Sequence, residues 1–280
     1  MYRLETYIFP RIGKTHIAKL ETRDVMDVVK PLEQRGNYET SRRVLQIISQ
    51  VFRYAVITGR AKHNVAADLR GALRPRKTVH RAAVLEPEKV GQLLRDIDTY
   101  EGYFPLVCAL KLAPLVFTRP TELRAAQWKE FDLEAGEWRI PAERMKMHRQ
   151  HLVPLSRQAM SILRELQKYS GEGKLLFPSI RTEARPISDA TMLNALRRMG
   201  YQKHEMSVHG FRSIASTLLN ELGYNRDWIE RQLAHGEQDE VRAAYNYAEY
   251  LPERRKMMQA WADYLDGLRN TQQKRIREEA

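Results

Sequence analysis

The chain has 280 residues, 43% of them hydrophobic, and a formal net charge of +12. That apolar share supplies one large core or two smaller ones and argues against wholesale disorder. No fold needs such a charge excess. A polyanionic partner would use it, nucleic acid ahead of an anionic membrane surface.

The excess is uneven. Residues 1–77 hold 16 lysines and arginines against 7 acidic residues, so most of the positive field belongs to the first quarter of the chain. The one cysteine, Cys108, has no partner for an internal disulfide and sits in the apolar run "PLVCALKLAPLVF", where it reads as an inert core thiol. Lys111 and Pro114 break that run, which is too short to span a bilayer. The start, "MYRLETYIFPRIGK", has no signal-peptide pattern. A soluble, cytoplasmic protein is expected.

In chain order, a helix is predicted over about 21–35, beginning near Thr22 and stopped by Gly36. "TSRRVLQIISQVFRYAVITG" follows, with Val44, Ile48, Val51, Phe52, Ala55 and Val56 as the buried stripe of a second helix. Arg42, Arg43 and Arg53 decorate its other faces and, with Lys77, are the expected DNA-backbone contacts. "RGALRPRKTVHRAAVLEPEK" then loses apolar periodicity and crowds proline, glycine and basic residues, as a linker does. The division expected is 1–77, a basic linker at 78–84, and a second domain over 85–280 that opens with the helix "EPEKVGQLLRDI". Between Phe131 and Leu155, "EWRIP", "RMKM" and "HLVPL" read as three strands of a small antiparallel sheet. From Gln158 to about Lys274 the pattern is helical, broken at "SGEGK", "FPSIRTEARPIS", "GYQKHEMSVHG" and "AHGEQDE". Met257, Met258, Trp261 and Leu265 form the apolar stripe of a C-terminal helix, equally able to pack on its own domain or on a neighbouring protomer. Trp128, Trp138 and Trp261 read as core packing and Arg124 as a surface residue.

Several chemistries are absent from the pattern. There is no Walker loop and no G-x-S-x-G elbow. His148 and His151 lack a second ligand pair and read as solvent or phosphate contacts. No carboxylate cluster suits a two-metal nuclease, so neither metal nor cofactor is expected. What the chain does offer is arginine, lysine, histidine and tyrosine, a set suited to metal-free phosphoryl transfer. A tyrosine attacking a phosphodiester builds negative charge on the non-bridging oxygens, and the planar, permanently charged guanidinium fork matches them. The departing sugar oxygen needs a proton from a lysine or histidine. The phosphotyrosyl intermediate conserves the bond, so strands rejoin without ATP.

Four segments carry such residues in order. "FTRPTELRAAQW" places Arg119 and Glu122 at a helix start. "ERMKMHRQH" places Lys146 on the second predicted strand near a hairpin tip, ahead of Lys111 and Lys129 as candidates. "VHGFRSIASTLLNE" places His209 and Arg212 three apart at a helix start, and "QLAHGEQDEVRAAYNYAEY" gives His235 and then three tyrosines. On a helix Tyr247 is turned about 160° from Tyr245, so the two cannot face one phosphate.

This order resembles the tyrosine recombinases, or phage integrase family, over essentially the whole chain. "RPTELRAAQW" and "VRAAYNYAEYLPERRKMMQAWADYLD" resemble more narrowly the integrases of prophages and genomic islands. The resemblance implies a mainly α fold: a small helical core-binding domain, then a mostly helical catalytic domain with a small three-stranded antiparallel sheet. It implies a site-specific recombinase working through a 3′-phosphotyrosyl intermediate. Arg119 and Arg212 would clamp the scissile phosphate, Lys146 would protonate the leaving 5′ oxygen, and His209 and His235 would contact the phosphate and assist proton transfer. Glu122 would hold the arginine-bearing loop. Tyr245, ten residues after His235, has the spacing the family implies for the nucleophile; Tyr247 and Tyr250, at twelve and fifteen, read as packing.

The partners implied are a double-stranded core-type attachment site, other protomers forming a synaptic tetramer, and host DNA-bending or excision factors at the bacterial nucleoid, with no membrane. Island-type integrases usually begin with an arm-binding domain, and "MYRLETYIFPRIG" looks already part-way into the core-binding domain. Core-site cleavage with poor recombination is therefore expected of this chain. An inactive DNA-binding integrase and a relaxing topoisomerase are the alternative classes.

Overall fold

The structure, a computed structural model, describes residues 1–69, 71–74, 82–235 and 250–278. Contacts divide the chain into two units, Met1–His80 and Arg81–Ala280.

The first unit opens with a π-helical turn, Leu4–Ile8, running into α1 (Phe9–Ile12). The two predicted helices follow as α2 (Thr22–Gln34) and α3 (Tyr38–Ile57). Gly36 ends α2 by taking φ +77°, so that the Asn37 and Gly36 amides reach the Leu32 and Glu33 carbonyls, each at 2.9 Å. That closure needs a residue tolerant of left-handed φ. The core joins Val25, Val28, Val29 and Leu32 of α2 to Val44, Leu45, Ile48 and Phe52 of α3, with Leu69 and Leu73 beyond them. Of the stripe predicted for α3, Val51 and Val56 are exposed, while Ser41 and Leu45 are buried. The buried arc runs about 140° from Val44 to Ser49; Val51 lies just outside it, and Val56 is exposed in the helix's last turn. Ser41 is accommodated by donating its hydroxyl to the Val29 carbonyl at 3.0 Å.

The second unit begins with α4 (Pro87–Asp98), α5 (Phe104–Val116) and α6 (Pro120–Arg124). A three-stranded antiparallel sheet follows, in the order β1 (Phe131–Asp132), β2 (Glu137–Ile140), β3 (His151–Pro154). The sheet is the predicted one but its membership differs. "RMKM" is not a strand, because Pro141 has no amide to continue β2 and the chain turns through a 3-10 helix at Ala142–Arg144. The third strand is the two-residue β1, whose Phe131 pairs with Trp138 and stacks on it at 5.0 Å. In the β2–β3 register Trp138 faces Val153 and Ile140 faces His151, all four buried. His151 is therefore a core residue and not the solvent or phosphate contact expected of it.

Beyond the sheet come α7 (Arg157–Ser170), α8 (Asp189–Arg198), α9 (Gly210–Glu221), α10 (Arg226–Gln232) and α11 (Leu251–Glu278). "FPSIRTEARPIS" holds an unforeseen hairpin, β4 (Pro178–Ser179) with β5 (Thr182–Pro186). Four of the five β5 residues are exposed, so no alternation betrays it. Arg124 is not a free surface residue: its guanidinium reaches the Asp189 carboxylate and the Ile187 carbonyl, tying α6 to α8. Cys108 is buried as expected, and loss of water pushes its thiol up to about 12.

The C-terminal stripe packs in cis. Met257, Met258, Trp261 and Leu265 all enter the core of the second unit. Phe117 adopts φ +33° and stops α5. The Pro114 carbonyl in its last turn is thereby left without a helical donor, and the Trp261 indole N–H supplies one at 2.9 Å. Among the described residues no helix is long and apolar enough to cross a membrane.

All four tryptophans belong to the second unit, so their fluorescence reports its unfolding alone. Trp261→Ala should lower that unit's stability by about 3–5 kcal/mol, through the cavity and the orphaned Pro114 carbonyl. Urea titration followed by tryptophan emission checks this.

Candidate active site

Helix α10 ends in consecutive carbonyls that its own helix cannot satisfy. Three side chains from distant parts of the chain take them. The His151 ring nitrogen Nε2 donates to the Gln232 carbonyl at 3.1 Å, Arg212 Nη2 to Leu233 at 2.7 Å, and Arg119 Nη2 to Ala234 at 3.0 Å. Cations at a helix C-terminus also meet the negative end of its dipole. The two arginines predicted to act together are thus held on adjacent peptide groups, immediately before His235.

Each arginine is fixed from a second side. Glu122, only 2% exposed, accepts the Arg119 backbone amide at 2.8 Å and its Nη1 at 2.7 Å. One carboxylate thereby sets both the entry into α6 and the plane of the guanidinium. Arg212, 4% exposed, also sends Nη1 to the Phe117 carbonyl at 2.8 Å, bridging α9 to the loop that carries Arg119. Its Nη2 lies 3.1 Å from His235 Nε2. A guanidinium can only donate, so Nε2 accepts and the ring proton sits on Nδ1, facing Glu230 Oε2 at 2.7 Å. That hydrogen bond holds the Glu230 carboxyl below its ordinary range.

His209 is the half-buried residue at the start of α9, its carbonyl accepting the Arg212 amide at 3.0 Å. Lys146 is exposed and belongs to the turn between β2 and β3 rather than to a strand. Buried Met145 precedes it, and His148, two residues on, has φ +51°. Arg144 ties this turn down, donating to the Glu122 carbonyl at 2.6 Å and to both Glu130 oxygens. Lys111 pairs instead with Asp98 at 3.4 Å. Tyr245, Tyr247 and Lys77 lie outside the described residues. Tyr250 is half-buried at the head of α11 with φ +48°.

Positive φ in bulky residues marks strain that surrounding structure must enforce. Among the described residues such non-glycine positions are Phe117, His148, Ala234 and Tyr250. Three of them flank Arg119, Lys146 and His235. In the first unit, Arg42 and Arg53 line one cleft of about 310 Å³ along α3, whereas Arg43 pairs with Glu39 at 3.2 Å. No group of three or more potential metal ligands occurs among the described residues.

Sequence reasoning missed a second layer. Arg254, 1% exposed, donates to the Gln232 side chain at 2.6 Å and to the Leu152 carbonyl at 2.6 Å, fixing the head of α11 to α10 and β3. His151 lies beside it. Burial and then the Arg254 charge depress the imidazole to about 3. Glu230, five residues before His235, is the one such partner that local spacing could have suggested.

A mainly helical unit with a small three-stranded antiparallel sheet has the tyrosine recombinase fold. Lambda integrase, solved as a dimer bound to a COC′ core site, has it: TM-score 0.67, 18% identity, 85% of this chain and 86% of that one. The chain belongs to the phage integrase family, whose signature, "Phage integrase family", matches residues 83–251, with "Phage integrase central domain" over 1–72. The integrase of Enterobacteria phage P4 is 42% identical over 95% of this chain, and putative protein IntB of Escherichia coli (strain K12) 41% over 94%. The chain spans 64% and 70% of their respective lengths.

The depressed His151 makes the second unit acid-sensitive. Between pH 6.5 and about 3 the unfolded imidazole binds a proton that the folded one refuses, so stability is complete above pH 6.5 and falls as the pH drops through that window. The slope reaches on the order of 1.4 kcal/mol per pH unit. His151→Gln should be less stable at pH 7 yet lose less on acidification to pH 5, measured by urea titration at both values.

Proposed function

We propose that this chain is the core-site-binding and catalytic part of a site-specific DNA recombinase, serving integration and excision of a prophage or genomic island. The observation that carries the reading is the pair Arg119 and Arg212, far apart in sequence, on the adjacent carbonyls of Ala234 and Leu233 beside His235. Arg212 is oriented by the Phe117 and Leu233 carbonyls and Arg119 by the Ala234 carbonyl and the Glu122 carboxylate, so both guanidiniums are set in place before a phosphate arrives.

In the reaction, the Tyr245 phenolic oxygen attacks phosphorus as the bond from phosphorus to the 5′ oxygen breaks. Arg119 and Arg212 take the charge that builds on the non-bridging oxygens. Lys146 gives its proton to the departing 5′ oxygen, while His209 and His235 contact the phosphate and assist transfer of the phenolic proton. One phosphate ester replaces another, so the reverse attack by a 5′ hydroxyl reseals the strand without an external energy source.

Residues 1–77 serve as the core-binding domain, joined by the basic stretch 78–84 to the catalytic domain at 85–280. Arg42, Arg53 and the cleft between them, together with Arg43 and Lys77, track the DNA backbone. The working partners are core-site duplex, further protomers in a synaptic tetramer, and host DNA-bending or excision factors, at the nucleoid in the bacterial cytoplasm. The core-site-bound lambda integrase supports the first of these.

The test uses a nicked suicide duplex carrying the core site that the wild-type chain footprints. Wild type should accumulate a covalent 3′-phosphotyrosyl adduct; Tyr245→Phe should form none, and Tyr247→Phe should retain it. Trapping by Tyr245→Phe with loss in Tyr247→Phe would move the nucleophile to Tyr247. Arg212→Ala should slow adduct formation roughly 10²–10³-fold while footprinting persists.

A further inference from the structure

Arg144 fits none of the roles assigned above, yet it is the contact that joins the turn carrying Lys146 to the helix carrying Glu122. Both arms of its guanidinium bond within the protein: Nη2 to the Glu122 carbonyl at 2.6 Å, Nη1 to both oxygens of Glu130. Glu130 is buried, and its Oε2 also accepts the Trp138 indole N–H at 3.0 Å. Trp138 is fully buried in β2, and Glu122 is the residue that sets the Arg119 guanidinium. A continuous path therefore runs from β2 through Glu130 and Arg144 to α6.

Lys146 is two residues along the chain from this anchor. Between them Met145 is buried, and after Lys146 the turn is closed by the His148 amide on the Met145 carbonyl at 3.0 Å. Lys146 itself is exposed. A flexible, strongly hydrated ammonium on an exposed turn gains its position from the backbone beneath it. We propose that Arg144 is a positioning residue for Lys146: by fastening the β2–β3 turn to the Glu122 peptide, it holds the leaving-group acid in register with the arginine clamp. This rests on the recombinase reading, and on Lys146 as the proton donor to the 5′ oxygen.

A merely structural part for Arg144 must be separated from a positioning one. Removing it alone strands the buried Glu130 charge, which is strongly destabilising whatever else it does. The informative variant is therefore Arg144→Ala with Glu130→Gln, which removes the charge and keeps an acceptor for Trp138. Arg144→Lys, which keeps a cation and loses the fork, is the second variant and carries the same test should the double variant not fold.

Two nicked duplexes with the footprinted core site serve as probes. One has an ordinary 5′ oxygen at the scissile phosphate and the other a 5′ bridging sulfur. Sulfur departs as a thiolate and needs no proton, so the second duplex bypasses the acid. On the oxygen duplex the double variant should form adduct about tenfold more slowly than wild type, or worse. On the sulfur duplex it should come within about threefold of wild type, as should Lys146→Ala. Wild-type rates on the oxygen duplex, or an equal defect on both duplexes, would overturn the proposal. Wild type cleaving neither duplex would instead defeat the recombinase reading, and Lys146→Ala unrescued by sulfur would defeat the assignment of Lys146 alone.

Discussion

The geometry of the site depends on how the last turn of α10 is satisfied. A helix that ends inside a protein must find donors for its final carbonyls, and here those donors are Arg212, Arg119 and His151. The requirement of one short helix thus gathers side chains from α9, the α5–α6 loop and β3. A neutral peptide oxygen orients a guanidinium without cancelling its charge, whereas the Glu122 carboxylate that also grips Arg119 offsets part of it.

Two kinds of support surround this turn. Of the four non-glycine residues with positive φ among the described residues, three flank expected site residues: Phe117 before Arg119, Ala234 before His235, and His148 after Lys146. Buried polar ties then hold what strain has placed. Glu122 grips Arg119 twice, Arg144 locks the neighbouring turn, and Arg254 binds the head of α11 to Gln232 and Leu152. Each tie leaves a costly orphan if one member is deleted, so the site behaves as a unit rather than as independent residues.

The residues of the arginine pair were legible because their chemistry is rare and their order distinctive, and α2, α3 and α4 because amphipathic periodicity is long enough to read. Legibility failed where partners are remote. His151 looks like a polar residue on a strand edge, and only the pairing of Ile140 with His151 shows that it faces inward. Arg144 and Arg254 look like surface charges in basic stretches; their inward bonds reach carbonyls contributed by residues more than twenty positions away. "RMKM" alternates as a strand should, yet the proline before it had already ended the pairing. The exposed β4–β5 hairpin offers no apolar rhythm at all.

Gly91 illustrates how far such constraints reach. A β-carbon there would run into the Leu268 carbonyl, so α4 and α11 touch backbone to backbone at that point. The seam sets how closely the two helices approach there. The other end of α11 begins at Tyr250 and is pinned four residues later by Arg254. One missing methyl group, some twenty-five ångströms along α11 from Leu251 by helical rise, therefore lets that helix lie close against α4.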